Sequence, residues 1–178
     1  IDTKKIPLII DASTAFGTGE HYSTKGCLMA ITHLSNTVFP SRILDMGCGS
    51  AILSIAAAKV WKESTILAVD CHPPSIEKAQ EHTKMNEVDH AISTQFGQGY
   101  THITDKYDLI MANILANPLC EMSAQLAAHL RPNGYAILSG FLDNQAAQVE
   151  NAHKVHGLII EDYIEQNNWV TLVMRTMD

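Results

Sequence analysis

From Arg42 to the last residues the chain alternates short β-rich runs with stretches of helical pattern, and this alternation constrains the fold more than any other feature. Parallel neighbours in a sheet need a crossover connection, and a helix is the usual filling. Arg42 to Met46 reads as the first strand, followed by a small-residue loop and a buried helix from Ile52 to Trp61. Thr65 to Asp70 is the second strand. Pro73 then opens a helix reaching about Met85, because its fixed φ and missing N–H are harmless in a first turn. Ala91 to Phe96 is a weaker third strand, and Tyr107 to Asn113 is a mostly buried fourth. A helix from about Pro118 to Leu130 should end at the breaker cluster Arg131 to Gly134, which also starts a strand from Tyr135 to Ser139. Asp143 is placed to cap the next helix, through about His156. The last two β-like runs, Leu158 to Ile164 and Trp169 to Arg175, are split by Gln166, Asn167 and Asn168, a connection short enough only for an antiparallel hairpin.

The expected fold is therefore α/β and doubly wound: a mostly parallel, seven-stranded sheet that finishes in an antiparallel hairpin, with helices on both faces. Ahead of it, residues 1–40 hold an irregular stretch, Ile1 to Glu20, and an amphipathic helix from about Ser23 to Leu34. With 178 residues, 46% of them hydrophobic, the chain suits one sizeable core rather than two, and residues 41–178 carry it. No apolar run approaches the roughly 18 to 20 residues that cross a bilayer. A formal charge of −7 without a basic run leaves no phosphate-backbone footprint, so direct nucleic-acid binding is not expected. The four cysteines lack both zinc-site spacing and the density of a disulfide scaffold, which reads as reduced thiols in a cytoplasmic protein. The start at Ile1 shows no secretory pattern, and residues upstream are expected.

The loop after the first strand, Asp45-Met46-Gly47-Cys48-Gly49-Ser50-Ala51, runs directly from strand to helix. Its glycines permit a tight turn and let a ligand approach where a Cβ would obstruct it. A dinucleotide fingerprint needs a further glycine three residues past Gly49, and Ile52 stands there, which weighs against a nicotinamide cofactor. Asp70 ends the second strand about twenty residues on, where a carboxylate accepts hydrogen bonds from ribose hydroxyls. Ligands of open α/β sheets bind at the carboxyl ends of the strands, so Asp45, Gly47, Asp70 and Asn113 should converge on one crevice. Asp45 has two readings, a carboxylate bonded to loop N–H groups or a partner for a ligand's ammonium group.

Four segments carry a resemblance: AFGTGEH (Ala15 to His21), LDMGCGSAILSIAA (Leu44 to Ala57), DLIMANILANPL (Asp108 to Leu119) and PNGYAILSGFL (Pro132 to Leu142). Together they resemble the PrmA family, class I S-adenosylmethionine-dependent methyltransferases with a Rossmann-like fold that methylate lysine side chains and the N-terminal amine of ribosomal protein L11, a component of the large-subunit stalk. The resemblance implies S-adenosylmethionine as cofactor, S-adenosylhomocysteine as product, no metal and no membrane. It places Thr18 and Gly19 over the cofactor, His21 where it would relay a proton or contact the cofactor's carboxylate, and Asp45, Gly47, Cys48 and Gly49 around its methionine part. Asp70 and Cys71 would lie at the ribose, Gln98 at the adenine, and Asn113 beside the reactive centre as the catalytic residue. It also implies a substrate-recognition domain ahead of a linker, and this sequence is expected to begin at that linker, without the domain.

Two departures bear on the cofactor. Ala51 replaces the usual third glycine of the loop, and the segment Phe96 to Tyr100 lacks the acidic residue that often meets adenine. Asn117-Pro118 resembles the Asn-Pro turn of other amino-group methyltransferases, yet Asn117 reads better as the cap of the helix after it. Trp169 reads as packing, and His33, His129, His153 and His156 as surface residues. The rival readings are a related methyltransferase acting on a protein glutamine or lysine, RNA or a small molecule, and a nucleoside-binding module without catalysis.

Overall fold

The structure is a computed structural model, and it describes residues 5–11 and 20–177. Thirteen elements follow one another: α1 (Tyr22–Leu34), β1 (Arg42–Met46), α2 (Ile52–Val60), β2 (Thr65–Asp70), α3 (Pro73–Met85), β3 (Ile92–Phe96), β4 (Tyr107–Asn113), α4 (Ala116–Glu121), α5 (Ser123–His129), β5 (Leu130–Leu142), α6 (Asp143–Lys154), β6 (Leu158–Gln166) and β7 (Trp169–Thr176). The sheet runs β3-β2-β1-β4-β5-β7-β6, parallel from β3 to β5 and antiparallel where β7 meets β5 and β6. This is the doubly wound, seven-stranded sheet with a terminal hairpin that the residue pattern implies. The turn of that hairpin is Asn167-Asn168 with φ of 49° and 66°, the left-handed pair whose twist suits two-residue hairpins.

Strand side chains alternate between faces, and the core divides accordingly. Ile43, Leu109, Met111, Ile137 and Val173 pack with α1, α2 and α3. Their neighbours Leu44, Ile110, Ala112, Leu138 and Leu172 pack on the other face, with α4 to α6. Polar residues obey the same parity. Asp45, Asp70, Asn113, Ser139 and Thr171 each lie two residues from a member of the first set or its strand neighbours, so all face the α1–α3 side at the carboxyl rim.

At the opposite end of the sheet, Asp108 Oδ2 accepts from Ser41 N–H (2.9 Å), Ser41 Oγ (2.7 Å) and Arg42 N–H (2.8 Å), and Arg131 Nη1 reaches its Oδ1 at 2.9 Å. Burial pushes the Asp108 carboxyl up, but these donors outweigh it and hold the group below the usual carboxylate range.

Several local expectations are corrected. The helix after β4 starts at Ala116 and breaks at Met122 into α4 and α5, so Asn117 sits inside the first turn rather than capping it. β5 begins at Leu130 and absorbs the Arg131–Gly134 cluster as an irregularity between the pairs Tyr107/Leu130 and Leu109/Tyr135. α6 is entered from Leu142, whose N–H donates to Gln145 Oε1 (3.1 Å), and Asp143 is its first residue, accepting from Tyr163 O–H (2.6 Å). His153 is buried, with Nδ1 bonded to Val149 O, rather than exposed. No helix of the described residues is long and apolar enough to cross a membrane.

Candidate functional site

The strand-to-helix turn after β1 is held by backbone bonds: Gly47 and Cys48 N–H both donate to Val69 O (2.8 and 3.0 Å), and Ala51 N–H donates to Cys48 O (2.8 Å). Gly47 has a φ of 73°, and a Cβ there would stand 2.5 Å from Ile114 Cγ2, so sterics as well as conformation demand glycine. Ala51 adopts the left-handed conformation too (φ 61°, ψ 22°) as the N-cap of α2, so the residue in the third glycine's place has the positive φ that glycine tolerates best. The cradle therefore keeps its shape and carries local strain.

Asp70 ends β2, 7% exposed, directly beneath this turn. Its Oδ2 accepts from Gly49 N–H (2.9 Å), and its Oδ1 accepts from His72 N–H (2.9 Å). A carboxylate offers about four acceptor positions. The His72 ring also lies near, its Nδ1 3.3 Å from Oδ1, so two backbone bonds and this contact fix the side chain and leave part of that capacity for a ribose hydroxyl. Asp70, Cys71 and His72 also bring three potential ligand atoms within 4.8 Å of one another, the one such cluster among the described residues, with Cys71 and His72 both exposed.

Asp45 is almost fully buried, and its Oδ2 accepts from Ser54 Oγ (2.6 Å) and Ser54 N–H (3.1 Å). Burial is the main reason its carboxyl is pushed up to about 6, with Asp70 adding to the rise and Ser54 opposing it. Of the two readings from sequence, these bonds favour the structural one: Asp45 ties β1 to the first turn of α2. Burial also pushes up the thiols of Cys48 and Cys27, the latter to about 12, so both stay protonated.

Asn113 ends β4 half-buried, and its Nδ2 donates to Thr24 Oγ1 on α1 (3.3 Å). Thr171 Oγ1 donates to Ser139 Oγ (2.8 Å), which donates to Val170 O (2.7 Å). α1 approaches this row closely: a Cβ on Gly26 would lie 2.3 Å from Thr171 Oγ1. The first residue of the helix is preceded by His21, whose Nδ1 accepts from Ser23 N–H (3.3 Å) as an N-cap and whose ring meets Trp169 edge-on at 4.3 Å. An accepting Nδ1 leaves the proton of the neutral ring on Nε2. Gln98 is exposed in the loop after β3. Thr18 and Gly19 lie outside the described residues.

Gly47, Gly49, Asp70 and Asn113 thus share one rim, as the strand-end argument requires. Thr24 and His82 belong to its support and were not singled out from the sequence, because a polar residue buried on a helix has no local signature. Two clefts of about 610 and 580 Å³ open elsewhere, around Lys59 and Lys62 near the amino ends of the strands.

The family model described as "Ribosomal protein L11 methyltransferase (PrmA)" matches residues 1–177. A "Ribosomal protein L11 methyltransferase" of Bradyrhizobium diazoefficiens is 39% identical over 175 residues, covering 96% of this chain and 59% of that protein. The chain thus spans about three fifths of the length of that curated relative. Among solved structures, a ribosomal protein L11 methylase from Lactobacillus delbrueckii subsp. bulgaricus superposes with a TM-score of 0.86 at 29% identity, covering 98% of this chain and 91% of that one. An RNA methyltransferase from Salinibacter ruber, solved with S-adenosylhomocysteine, shares the fold at a TM-score of 0.68 and 12% identity over 85% of this chain and 90% of its own.

Proposed function

Because the chain belongs to the PrmA family of ribosomal protein L11 methyltransferases, we propose that it is the methyl-transferring domain of such an enzyme, binding S-adenosylmethionine at the β1–β2–β4 rim. The observation that carries this reading is the pairing of a Cβ-free turn at Gly47 with a fixed, incompletely bonded carboxylate at Asp70, the shape and charge a nucleoside with a cationic sulfonium tail needs. When bound, the cofactor supplies an electrophilic methyl group on sulfur. The chain's own residues position and desolvate. Asp70 accepts from the ribose, Gly47 and Gly49 admit the methionine part, with Cys48 and Asp45 behind them, and Cys71 and Gln98 flank the ribose and adenine.

The acceptor we propose is a lysine or N-terminal amine of ribosomal protein L11, met in the cytoplasm, with no metal. A lysine amine with a pKa near ~10.4 must reach the site neutral. Partial burial of the acceptor's amine at this rim favours the uncharged form, and the Asn113 carbonyl then accepts an amine N–H, its amide being oriented by Thr24. With the cofactor bound, these residues would hold the neutral amine toward its methyl group, and that positioning would supply most of the acceleration. His21 and Trp169 border the approach from the α1 side.

The test is calorimetric titration with S-adenosylhomocysteine, followed by transfer of labelled methyl from S-adenosylmethionine to purified L11. Binding together with label in L11 amines is the expected result. Label appearing only in RNA, or only in a glutamine amide, refutes the acceptor, and binding without transfer to any acceptor makes the domain a nucleoside-binding module. No binding removes the reading altogether.

A further inference from the structure

The amino-terminal strap, residues 5–11, is fastened to α3 and α2 by polar bonds as well as apolar contact. Asn86, the C-cap of α3, accepts from Ile9 N–H through Oδ1 (2.9 Å) and donates to Ile9 O through Nδ2 (2.7 Å), imitating a β-bridge with a side chain. Lys59 Nζ donates to Pro7 O (2.7 Å), and Leu8 and Ile10 pack against the core.

One turn before Asn86, His82 is completely buried on the same helix. Its Nδ1 lies 2.9 Å from Ser50 O in the glycine loop, and its Nε2 accepts from Asp11 N–H at 3.1 Å. A carbonyl on one nitrogen and an N–H on the other fix the neutral ring as the Nδ1–H tautomer. A leucine would fill the same space, but it would leave a loop carbonyl and a strap N–H without this partner. The imidazole thus bonds to both segments at once, and Ser50 immediately precedes the strained Ala51.

We propose that His82 is a positioning residue of the cofactor site, joining the glycine loop to the amino-terminal strap through Ser50 and Asp11, so that binding of the adenosyl ligand and docking of the strap strengthen each other. The inference rests on the reading of residues 47–51 as the cofactor cradle. Coupling of this kind is reciprocal: a strap that steadies the loop raises ligand affinity by the factor by which ligand steadies the strap. It gives whatever lies upstream of the strap a route to the cofactor site that does not pass through the acceptor.

Amide hydrogen exchange on the whole chain, with and without saturating S-adenosylhomocysteine, tests this. In the native protein the ligand should slow exchange of residues 47–51 and, together with them, of Ile9 to Asp11 by roughly fivefold or more. H82N keeps a donor for Ser50 but cannot reach Asp11. It should retain loop protection, lose strap protection and bind the ligand roughly fivefold more weakly. N86A should weaken ligand binding similarly with His82 intact, and it serves if H82N does not fold. Loop protection with no change at Ile9 to Asp11 in the native protein overturns the coupling and leaves the cofactor reading standing. Absence of protection at both places overturns the cofactor reading, and the coupling with it.

Discussion

The two ends of the sheet hold two buried or half-buried carboxylates whose acidities move in opposite directions. Asp108, at the start of β4, collects donors from Ser41, Arg42 and Arg131 and stays ionised below its ordinary range. Asp45, at the end of β1, is sealed in with Ser54 as its partner and rises to about 6. Around Asp108 the bonds close on one another, and it clamps two strands. Around Asp45 the chain carries left-handed turns at Gly47, Gly49 and Ala51, a buried charge and a second carboxylate nearby. Left-handed backbone occurs at the amino end too, at Glu87 and Asn133 (φ 60° each), so what sets the ends apart is the carboxylates: one is satisfied by converging donors, and the other is buried beside a second carboxylate under a strained turn, as expected where a ligand rather than stability shapes the site.

The sharpest way to break the contrast is Gly140→Ala. Gly140 sits in β5 with φ 97°, and a Cβ would stand 2.3 Å from Ile114 O and 2.7 Å from Ile114 C, backbone atoms that cannot swing aside. The loop after β4 would have to leave the rim. We expect a loss of roughly 3–4 kcal/mol, from overpacking added to left-handed strain, measured by urea denaturation. Gly157→Ala, also at positive φ (88°) but with open space around it, should lose only about 1 kcal/mol. Equal losses would show that crowding at the rim is not the reason for Gly140.

Asp45 sharpens the comparison through pH. Its folded pKa is raised above the unfolded value of 3.8 to about 6, so the folded state holds the proton more tightly. The stability linked to it is full below about 3.8 and is lost as pH rises through about 6. Relative to Asp45→Asn, the native protein should therefore lose on the order of 2–3 kcal/mol between these limits, because each tenfold difference in acidity between the folded and unfolded carboxyl corresponds to about 1.4 kcal/mol. Asp108 has the opposite sign: its contribution is present above the unfolded carboxylate pKa and disappears as pH falls through its lowered folded value. Denaturation midpoints of Asp45→Asn and Asp108→Asn across pH 3 to 8 should approach the native curve at low pH and depart from it in opposite directions at high pH, Asp45→Asn becoming more stable than the native protein and Asp108→Asn less stable. Parallel curves would refute the assignment of the two carboxylates.

Next in size is Asp70→Ala. The variant removes the proposed ribose acceptor and also frees Gly49 N–H, so S-adenosylhomocysteine affinity should fall by about 2 kcal/mol, some thirtyfold. Calorimetry on Asp70→Ala and Asp70→Asn decides the issue: Asn keeps an acceptor and should recover part of the loss. Unchanged affinity in both variants would remove the ribose assignment while leaving the fold untouched.

The frame was legible because it rests on period. Arg42 to Met46, Thr65 to Asp70 and Tyr107 to Asn113 are strands by their β-branched and aliphatic runs, and the hairpin by its short polar connection. Strand ends then placed Asp45, Asp70 and Asn113 on one rim. What escaped were interactions between distant residues. The break at Met122 and the strand character of Arg131 to Gly134 depend on pairing with β4, which no local propensity encodes. His82 and His153 look alike in sequence, polar residues on helices, yet both are buried, and only His82 has a partner for each ring nitrogen. Whether Asp45 faces a ligand or Ser54 was also undecidable from spacing, because both partners lie at the same strand end.

The smallest effect tests the strain itself. Ala51 is held at φ 61° with its side chain fully buried, and that region costs an L-residue about 1–2 kcal/mol that glycine avoids. Glycine offsets part of this gain through the greater freedom of the unfolded chain, and removing a buried methyl group loses some packing. Ala51→Gly should therefore gain no more than about 1 kcal/mol in thermal or urea denaturation. S-adenosylhomocysteine affinity should stay within about twofold, because the alanine already holds the turn in the conformation glycine would adopt. A clear loss of stability would mean that the methyl group's packing outweighs its backbone strain, and a large gain in affinity would mean that the side chain crowds the cradle rather than merely straining it.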